Sequence, residues 1–187
     1  MNYLDKQNIT LTLYNDYYKA CKYLNVNLNL NKNRYPNNFM QWHDIRIDQK
    51  ETRKNYLNKL EKEKLFSEFL KISNKYLQLQ QITQSNYLTI IAKSPDDLKL
   101  EGNALEHCVG RMNYDKKMIN EQSLIFFIRK KEEPNTPYVT LEYSIKEKNI
   151  LQCYAYHNTK PNDETINYIY HKWLPFANKQ INKIISA

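Results

Sequence analysis

Glycine is the most conspicuous shortage in this sequence. The chain has 187 residues and only two glycines, whereas average usage of about 7% would supply about 13. Neither the G-x-G-x-x-G fingerprint of dinucleotide-binding folds nor the Walker loop of P-loop NTPases occurs. Nucleotide binding through either of these phosphate-cradling loops is therefore excluded.

Cysteines are few and long apolar runs are lacking. The cysteines, Cys21, Cys108 and Cys153, are widely spaced and odd in number, which is not a disulfide framework and favours a reducing, cytoplasmic setting. No stretch approaches the 18 apolar residues of a membrane span. The N-terminal segment MNYLDKQNITLTLYN lacks the apolar core and cleavage site of a signal peptide. We therefore expect a cytoplasmic protein without a membrane partner.

The charge is strongly basic and unevenly distributed. The chain holds 28 Lys+Arg and 20 Asp+Glu, a net charge of +8. Residues 1–75 account for +6 of this and residues 76–187 for +2. A basic half favours contact with phosphate backbones or another acidic partner. Compositional drift is the alternative, because an AT-rich genome over-uses Asn, Lys, Ile and Tyr.

The N-terminal half is predicted to be helical. Apolar residues recur at helical spacing over residues 9–24, and a polar break with a proline follows at 25–38. Residues 39–79 predict a long amphipathic helix, because no Gly or Pro occurs from 37 to 94. A bend near residues 43–48 is allowed by this pattern.

The character of the sequence changes after residue 85. Residues 87–92 (YLTIIA) predict a short apolar strand. Ser94 followed by Pro95 predicts a helix start, with Ser at the N-cap and acidic residues in the first turn. We expect this helix to continue up to Gly110, and one further turn to form at 114–120.

The remaining residues predict a sheet followed by a helix. Three apolar or alternating segments have the spacing of an antiparallel meander: residues 123–129, 137–144 and 150–156. Residues 163–185 predict an aromatic-rich helix that Pro175 kinks or splits.

These elements together predict an α+β fold. A helical, basic N-terminal region at residues 1–85 precedes a β-α-β-β-β-α unit with a small antiparallel sheet at residues 86–187. No internal repeat is present.

Both glycines lie in one string, EGNALEHCVG, which also holds the pair His107-Cys108. A second polar cluster, Gln152, Cys153, His157 and Asn158, lies on the last predicted strand and its exit. Alternate residues of a strand share a face. If the polar face of the sheet covers the glycine-containing string, we expect four side chains to converge in one pocket: His107, Arg129, Glu142 and Gln152.

Several chemistries fit such a pocket. A general acid–base or phosphodiester site would use His107, Arg129 and Glu142. A Cys108 nucleophile with a histidine base is a second interpretation. A third interpretation is a metal site with the ligands His107, Cys108, Cys153 and His157, although no C-x-x-C or H-E-x-x-H motif is present. A fourth is a structural role, in which His107 bridges backbone groups and Cys108 packs in the core. No cofactor is indicated.

An ordered series of blocks resembles the PcfJ-like protein family: EGNALEHCVG, YDKKM, SLIFFIRKKEEPNTPYVTLEYS, ILQCYAYHN and KWLPFAN. The resemblance runs from about Leu88 to Ala177. Ala155 stands where the family often has a glycine. The residues that match the family pattern are Glu101, Gly102, Leu105, His107, Cys108, Gly110, Arg129, Thr140, Glu142, Gln152 and Asn158.

The resemblance implies a protein of mobile elements, namely conjugative plasmids and phages of low-GC Gram-positive bacteria. We therefore expect action on or with nucleic acid or a nucleoprotein complex, through the pocket and a basic surface. A protein-binding module, such as an inhibitor of a CRISPR-type host defence complex, and a small hydrolase or nuclease are the alternatives. The sequence leaves open whether the protein is an enzyme, what its oligomeric state is, and whether this chain is full length or part of a longer protein. Beyond the pocket, the expected binding residues are Glu101, Cys108, Asn158, Arg46, Arg53 and Lys54.

Overall fold

A computed structural model of the protein describes residues 2–81 and 85–186. The chain forms two compact units, residues 1–63 and residues 64–187. Within the described ranges, no helix combines the length and apolar character needed to cross a membrane. The helical N-terminal half and the small antiparallel sheet confirm the predicted α+β class.

The first unit is helical. Its helices are α1 (Tyr3–Gln7), α2 (Leu11–Tyr23), α3 (Asn31–Arg34) and the first part of α4 (Phe39–Lys75). Its small core is largely aromatic, with Tyr17, Cys21 and Phe39 buried. The Tyr17 and Tyr14 hydroxyls donate to the carbonyls of Asn33 (2.5 Å) and Arg34 (2.9 Å). These bonds tie the polar break before α4 to α2.

Helix α4 is uninterrupted through residues 43–48, where the pattern allowed a bend. Arg46 lies over the Trp42 ring at 5.1 Å and donates to Gln49 Oε1 at 2.8 Å, which are contacts between neighbouring turns of the helix. Without an internal Gly or Pro, nothing interrupts the backbone ladder.

The second unit contains a four-stranded antiparallel meander in the order β1-β2-β3-β4. The registers pair Phe127 of β2 with Thr140 of β3, and Glu142 of β3 with Gln152 of β4. A bulge at Glu142/Tyr143 leaves Leu151 as the extra residue of β4, and its side chain is exposed. The strand bounds are β1 (Tyr87–Ile91), β2 (Ser123–Lys130), β3 (Val139–Ser144) and β4 (Asn149–Tyr154).

One face of the sheet is apolar and packs on the C-terminal helices, α7 (Asp163–Tyr168) and α8 (Leu174–Ile185). The Trp173 ring contacts Phe126 at a centroid distance of 4.9 Å and Tyr143 at 5.8 Å, both edge-to-face. The opposite face carries the polar residues of β2 and β3, which alternate with the apolar ones.

A π-helical turn, Ile169–Trp173, connects α7 to α8. Pro175 lies in the first turn of α8, so the predicted split near this residue is confirmed. Proline lacks an N–H and its ring clashes with the carbonyl four residues earlier, and a wider turn relieves both problems. The turn also positions Trp173, whose indole N–H donates to Leu79 O at 2.9 Å.

Helix α5 (Pro95–Ala104) begins as predicted, with a capping box between Ser94 and Asp97. The expected continuation to Gly110 is wrong. Glu106 has a φ of 52°, which ends the helical path, and a separate 3₁₀ turn forms at Cys108–Gly110. The short helix α6 (Tyr114–Ile119) follows, close to the predicted turn.

Neither glycine has a positive φ, so backbone conformation does not explain their positions. What both positions require is space for a closely packed backbone. A Cβ on Gly110 would lie 2.7 Å from the Cα of Lys99. A Cβ on Gly102 would lie 3.0 Å from both His107 O and Gly110 N. Because neither residue has a Cβ, the backbone of residues 105–110 packs directly against α5.

Candidate functional site

A cavity of about 400 Å³ opens on the polar face of the sheet. Ligand pockets typically measure about 300–1,000 Å³, so this volume suits a small organic group. The lining residues are His107, Cys108, Val109, Tyr114, Ile125, Thr140, Glu142, Gln152, Tyr154 and Asn158.

Several elements build the walls. Strands β3 and β4 contribute two registered pairs, Glu142 with Gln152 and Thr140 with Tyr154. The segment that packs on α5 contributes His107, Cys108 and Val109, and α6 contributes Tyr114. His107 N donates to Gly102 O at 3.0 Å, so the backbone that carries the imidazole is anchored to α5.

A buried ion pair lies behind the cavity wall. The Arg129 guanidinium contacts both carboxylate oxygens of Glu101, with Nη1 2.9 Å from Oε1 and Nη2 bonded to Oε2. Both side chains are buried, and the pair joins β2 to α5. Burial raises the pKa of the Glu101 carboxyl, and hydrogen bonds from Arg129 and Thr140 act in the opposite direction.

Hydrogen bonds leading from this pair define the tautomer of His107. Thr140 Oγ1 lies 3.2 Å from Glu101 Oε1 and 3.0 Å from His107 Nε2. A carboxylate only accepts, so the Thr140 hydroxyl donates to Glu101 and accepts from Nε2–H. In the neutral ring, Nδ1 is then left with an available lone pair. This atom is buried, and no residue in the described ranges hydrogen-bonds to it.

Glu142 presents a second available acceptor. Its Oε1 accepts from Ser123 Oγ at 2.7 Å and from Lys117 Nζ at 3.1 Å. Its Oε2 is buried and has no hydrogen-bond partner in the part of the chain that the structure describes. Beside it, Gln152 Oε1 accepts from the Tyr114 hydroxyl at 3.3 Å. Two residues that line the cavity, His107 and Glu142, thus each have one buried acceptor atom to which no described residue donates, and Gln152 adds an amide.

Three of the four residues expected to converge line the cavity, namely His107, Glu142 and Gln152. Arg129 does not line it, because its guanidinium is committed to Glu101 behind the wall. The catalytic roles expected for these four residues stay predictions. Of the other expected binding residues, Cys108 and Asn158 line the cavity and Glu101 supports it.

The basic residues expected to bind a partner lie in the first unit. Arg46 is half-buried against Trp42, whereas Arg53 and Lys54 are exposed on α4. In the second unit, a more open cleft shares His107, Cys108 and Asn158 with the cavity and adds Arg111.

The four residues considered as metal ligands do not come together. Cys153 pairs with Leu141 and packs on the apolar face of the sheet, and burial raises the pKa of its thiol to about 12. His157 is exposed, and its Nε2 lies 3.1 Å from Glu106 Oε2. Among the described residues, no group of three or more His, Cys, Asp or Glu side chains is arranged to hold a metal ion. The strand alternation separates Cys153 from His107 and Cys108.

Sequence reasoning missed several residues of the site. Tyr154 was detectable, because it shares a strand face with Gln152. Tyr114 and Lys117 lie three residues apart on α6, and the Lys117 ammonium lies 4.4 Å from the Tyr114 ring centroid. Ser123 gave no sequence signal, because its partner Glu142 is known only from the β2–β3 register.

The environment of His107 predicts a loss of stability in acid. Burial lowers the pKa of His107 from its ordinary value of 6.5, so the unfolded chain binds this proton more readily than the folded chain. The resulting stability is present above 6.5 and is lost as the pH falls through the folded-state pKa. In urea titrations, lowering the pH from about 7 to about 5 is expected to reduce the free energy of unfolding.

The variant His107→Gln should lose less stability over the same pH interval, since its amide still donates to Thr140 without binding a proton. His171→Gln removes an exposed histidine and should behave as the wild type does. An equal pH dependence in the wild type and His107→Gln would contradict this assignment.

Comparisons with known proteins show what this chain is similar to. The model of the PcfJ-like protein family matches residues 13–170. An uncharacterized protein of Listeria innocua serovar 6a, Lin1253/Lin1744, is 31% identical over 160 residues, which cover 86% of this chain and 33% of that protein. The chain thus spans about a third of the length of this curated relative. No solved structure matches the chain.

Proposed function

The chain belongs to the PcfJ-like protein family, and we propose that it is a mobile-element protein that binds single-stranded nucleic acid. The cavity receives one unpaired base, and basic residues outside it contact the phosphates. The observation that carries the proposal is the composition of the cavity wall. It combines tyrosine rings with an amide and two buried acceptors that have no hydrogen-bond partner in the described ranges.

The chemistry of the wall favours a base over a phosphate as the occupant. Phosphate oxygens accept hydrogen bonds, so Glu142 Oε2 and His107 Nδ1 would repel them. A base instead has a flat ring for stacking and an edge with donors. Tyr154 is 40% exposed and lies at the rim, where a ring can stack on an entering base.

Cations for the phosphates are available outside the cavity. The chain carries a net charge of +8. Arg111 lines the neighbouring cleft that shares Asn158 with the cavity. Arg53 and Lys54 are exposed in the first unit and are considered separately from the cavity. Neutralising phosphates releases counterions, so binding of this kind weakens linearly in the logarithm of the salt concentration.

The test is binding of labelled RNA and DNA strands of about twelve nucleotides, single-stranded and duplex, across a salt series. We expect single strands to bind more tightly than duplexes, because a paired base must first leave its stack. Tyr154→Ala should weaken single-strand binding by about 1–3 kcal/mol, the contribution of one stacked base.

Tyr170→Ala is the matched control. Tyr170 is 39% exposed, close to the value for Tyr154, and lies in the π-helical turn outside the cavity. Its replacement should leave binding unchanged. Failure to bind at low salt, a missing salt dependence, or equal effects of the two substitutions would overturn the proposal.

The same assay distinguishes the two other interpretations. Cleavage of the strand that is lost in His107→Gln would favour a nuclease, with Nδ1 of His107 as the general base. A fold-intact protein that binds no nucleic acid would favour the protein-binding module, such as an inhibitor of a host defence complex.

A further inference from the structure

The uncommitted atoms of the cavity identify the type of base. His107 and Glu142 line the cavity and are 8% and 3% exposed, and each has one buried acceptor atom without a hydrogen-bond partner in the described ranges. An acceptor left unpaired in a buried site retains its desolvation penalty. A ligand that supplies two N–H donors would remove both penalties at once.

We propose that the cavity is selective for guanine, an inference that rests on the proposed function above. Guanine is the common base whose Watson–Crick edge carries two neighbouring donor groups, the ring N1–H and the exocyclic N2 amine. Adenine and cytosine carry an amine beside an unprotonated ring nitrogen, and uracil and thymine carry a single N3–H. Guanine therefore matches a wall with two acceptors, Glu142 Oε2 and His107 Nδ1.

The third position on this edge is also matched. Gln152 is the register partner of Glu142, and its carbonyl oxygen is occupied by the Tyr114 hydroxyl. The group that remains for a ligand is its N–H₂, which is a donor. Guanine O6 is an acceptor next to N1–H and would accept from this amide.

A cationic ligand rich in N–H groups fits less well. Lys117 Nζ lies 3.1 Å from Glu142 Oε1 and already balances the carboxylate charge. Burial also favours the neutral form of the imidazole of His107, by lowering its pKa. A guanidinium or ammonium ion would face Lys117 without a free negative charge to compensate it, so a neutral donor edge is preferred.

The experiment compares single strands that are identical except at one central position. The position carries guanine, hypoxanthine, adenine, cytosine or uracil in an otherwise constant RNA, and affinity is measured by fluorescence anisotropy at fixed salt. Hypoxanthine keeps N1–H and O6 and lacks only the N2 amine. We expect the guanine strand to bind at least about tenfold more tightly than the hypoxanthine and adenine strands, as for one well-formed base contact.

Two variants test whether the preference for guanine depends on the Glu142 side chain. Glu142→Gln exchanges the acceptor pair for an amide and should reduce the guanine preference at least about tenfold. Glu147→Gln makes the same charge change at an exposed residue outside the cavity and should retain the preference. Thermal unfolding checks that each variant is folded, and the comparison of guanine with hypoxanthine needs no variant.

The outcomes separate the two proposals. Equal affinity for all five strands, with binding still dependent on Tyr154, overturns guanine selectivity and leaves single-strand binding intact. Absence of binding to every strand overturns the proposed function itself. Displacement of the guanine strand by agmatine as readily as by guanosine monophosphate would show that the cavity selects cations, and would also overturn the inference.

Discussion

Replacement of Arg129 by Met is expected to lower the free energy of unfolding by about 3–5 kcal/mol. The guanidinium is the charged partner of the buried Glu101 carboxylate, and it contacts both oxygens. Without it, Glu101 keeps only the hydrogen bond from Thr140 and becomes an uncompensated buried charge. Because a domain of this size typically has about 5–15 kcal/mol of stability, urea unfolding of the variant should be measured in the cold.

A double variant and a surface control make this prediction specific. Glu101→Met combined with Arg129→Met removes both charges and should recover most of the lost stability, as seen when buried pairs are replaced by apolar residues. Lys99→Met breaks the exposed pair with Asp96, 2.7 Å apart on the same helix α5, and should change stability by no more than about 1 kcal/mol. A loss in Arg129→Met no larger than that in Lys99→Met would contradict the role of the buried pair.

The substitution Gly110→Ala is expected to destabilise the protein by about 1–3 kcal/mol or more. The new Cβ would lie 2.7 Å from the Cα of Lys99 and 3.0 Å from Leu98 O, which are backbone atoms of α5 and cannot rotate away. The segment that carries His107 must then move off α5. We expect the Nε2–Thr140 hydrogen bond to weaken, which ¹⁵N spectra of the imidazole would detect together with the urea midpoint.

Two alanine variants of α5 are the controls. Gly102→Ala places its Cβ 3.0 Å from Gly110 N and His107 O, and the strain is partly offset by about 1 kcal/mol of helix propensity. Its loss should be smaller than that of Gly110→Ala. Asn103→Ala is exposed and should stay within about 0.5 kcal/mol of the wild type. A wild-type imidazole spectrum in Gly110→Ala would contradict the proposed link between the glycine and His107.

Both variants act on the support of the cavity rather than on its wall. The ion pair connects β2 to α5, and Gly110 seats the His107 segment on the same helix. Helix α5 thus orients the imidazole of His107 through two contacts. Glu101 of α5 accepts from Thr140, which is bonded to Nε2, and Gly102 O of α5 accepts from His107 N. Ligand binding should therefore weaken in both variants, even though neither residue lines the cavity.

Several elements were predictable because their signals are local. The Ser94 cap lies within one turn of the groups that it satisfies, and the alternation in β3 depends only on consecutive residues. The end of α5 was not predictable in this way. Glu106 adopts a left-handed conformation that its residue type does not favour, and the contacts around it, including Tyr156 Oη to Glu106 Oε1 at 2.7 Å, come from 50 residues away.

The sequence by itself determined the α+β class, the family, the meander of the last three strands and the string in which both glycines flank the His-Cys pair. It did so because periodicity, caps and motif order are properties of neighbouring residues. Only the tertiary structure decided that the glycines serve close backbone contact, that Arg129 is committed to Glu101, and that His107 and Glu142 each retain an uncommitted acceptor. These properties depend on strand register and on distances between segments far apart in the chain, which local patterns do not encode.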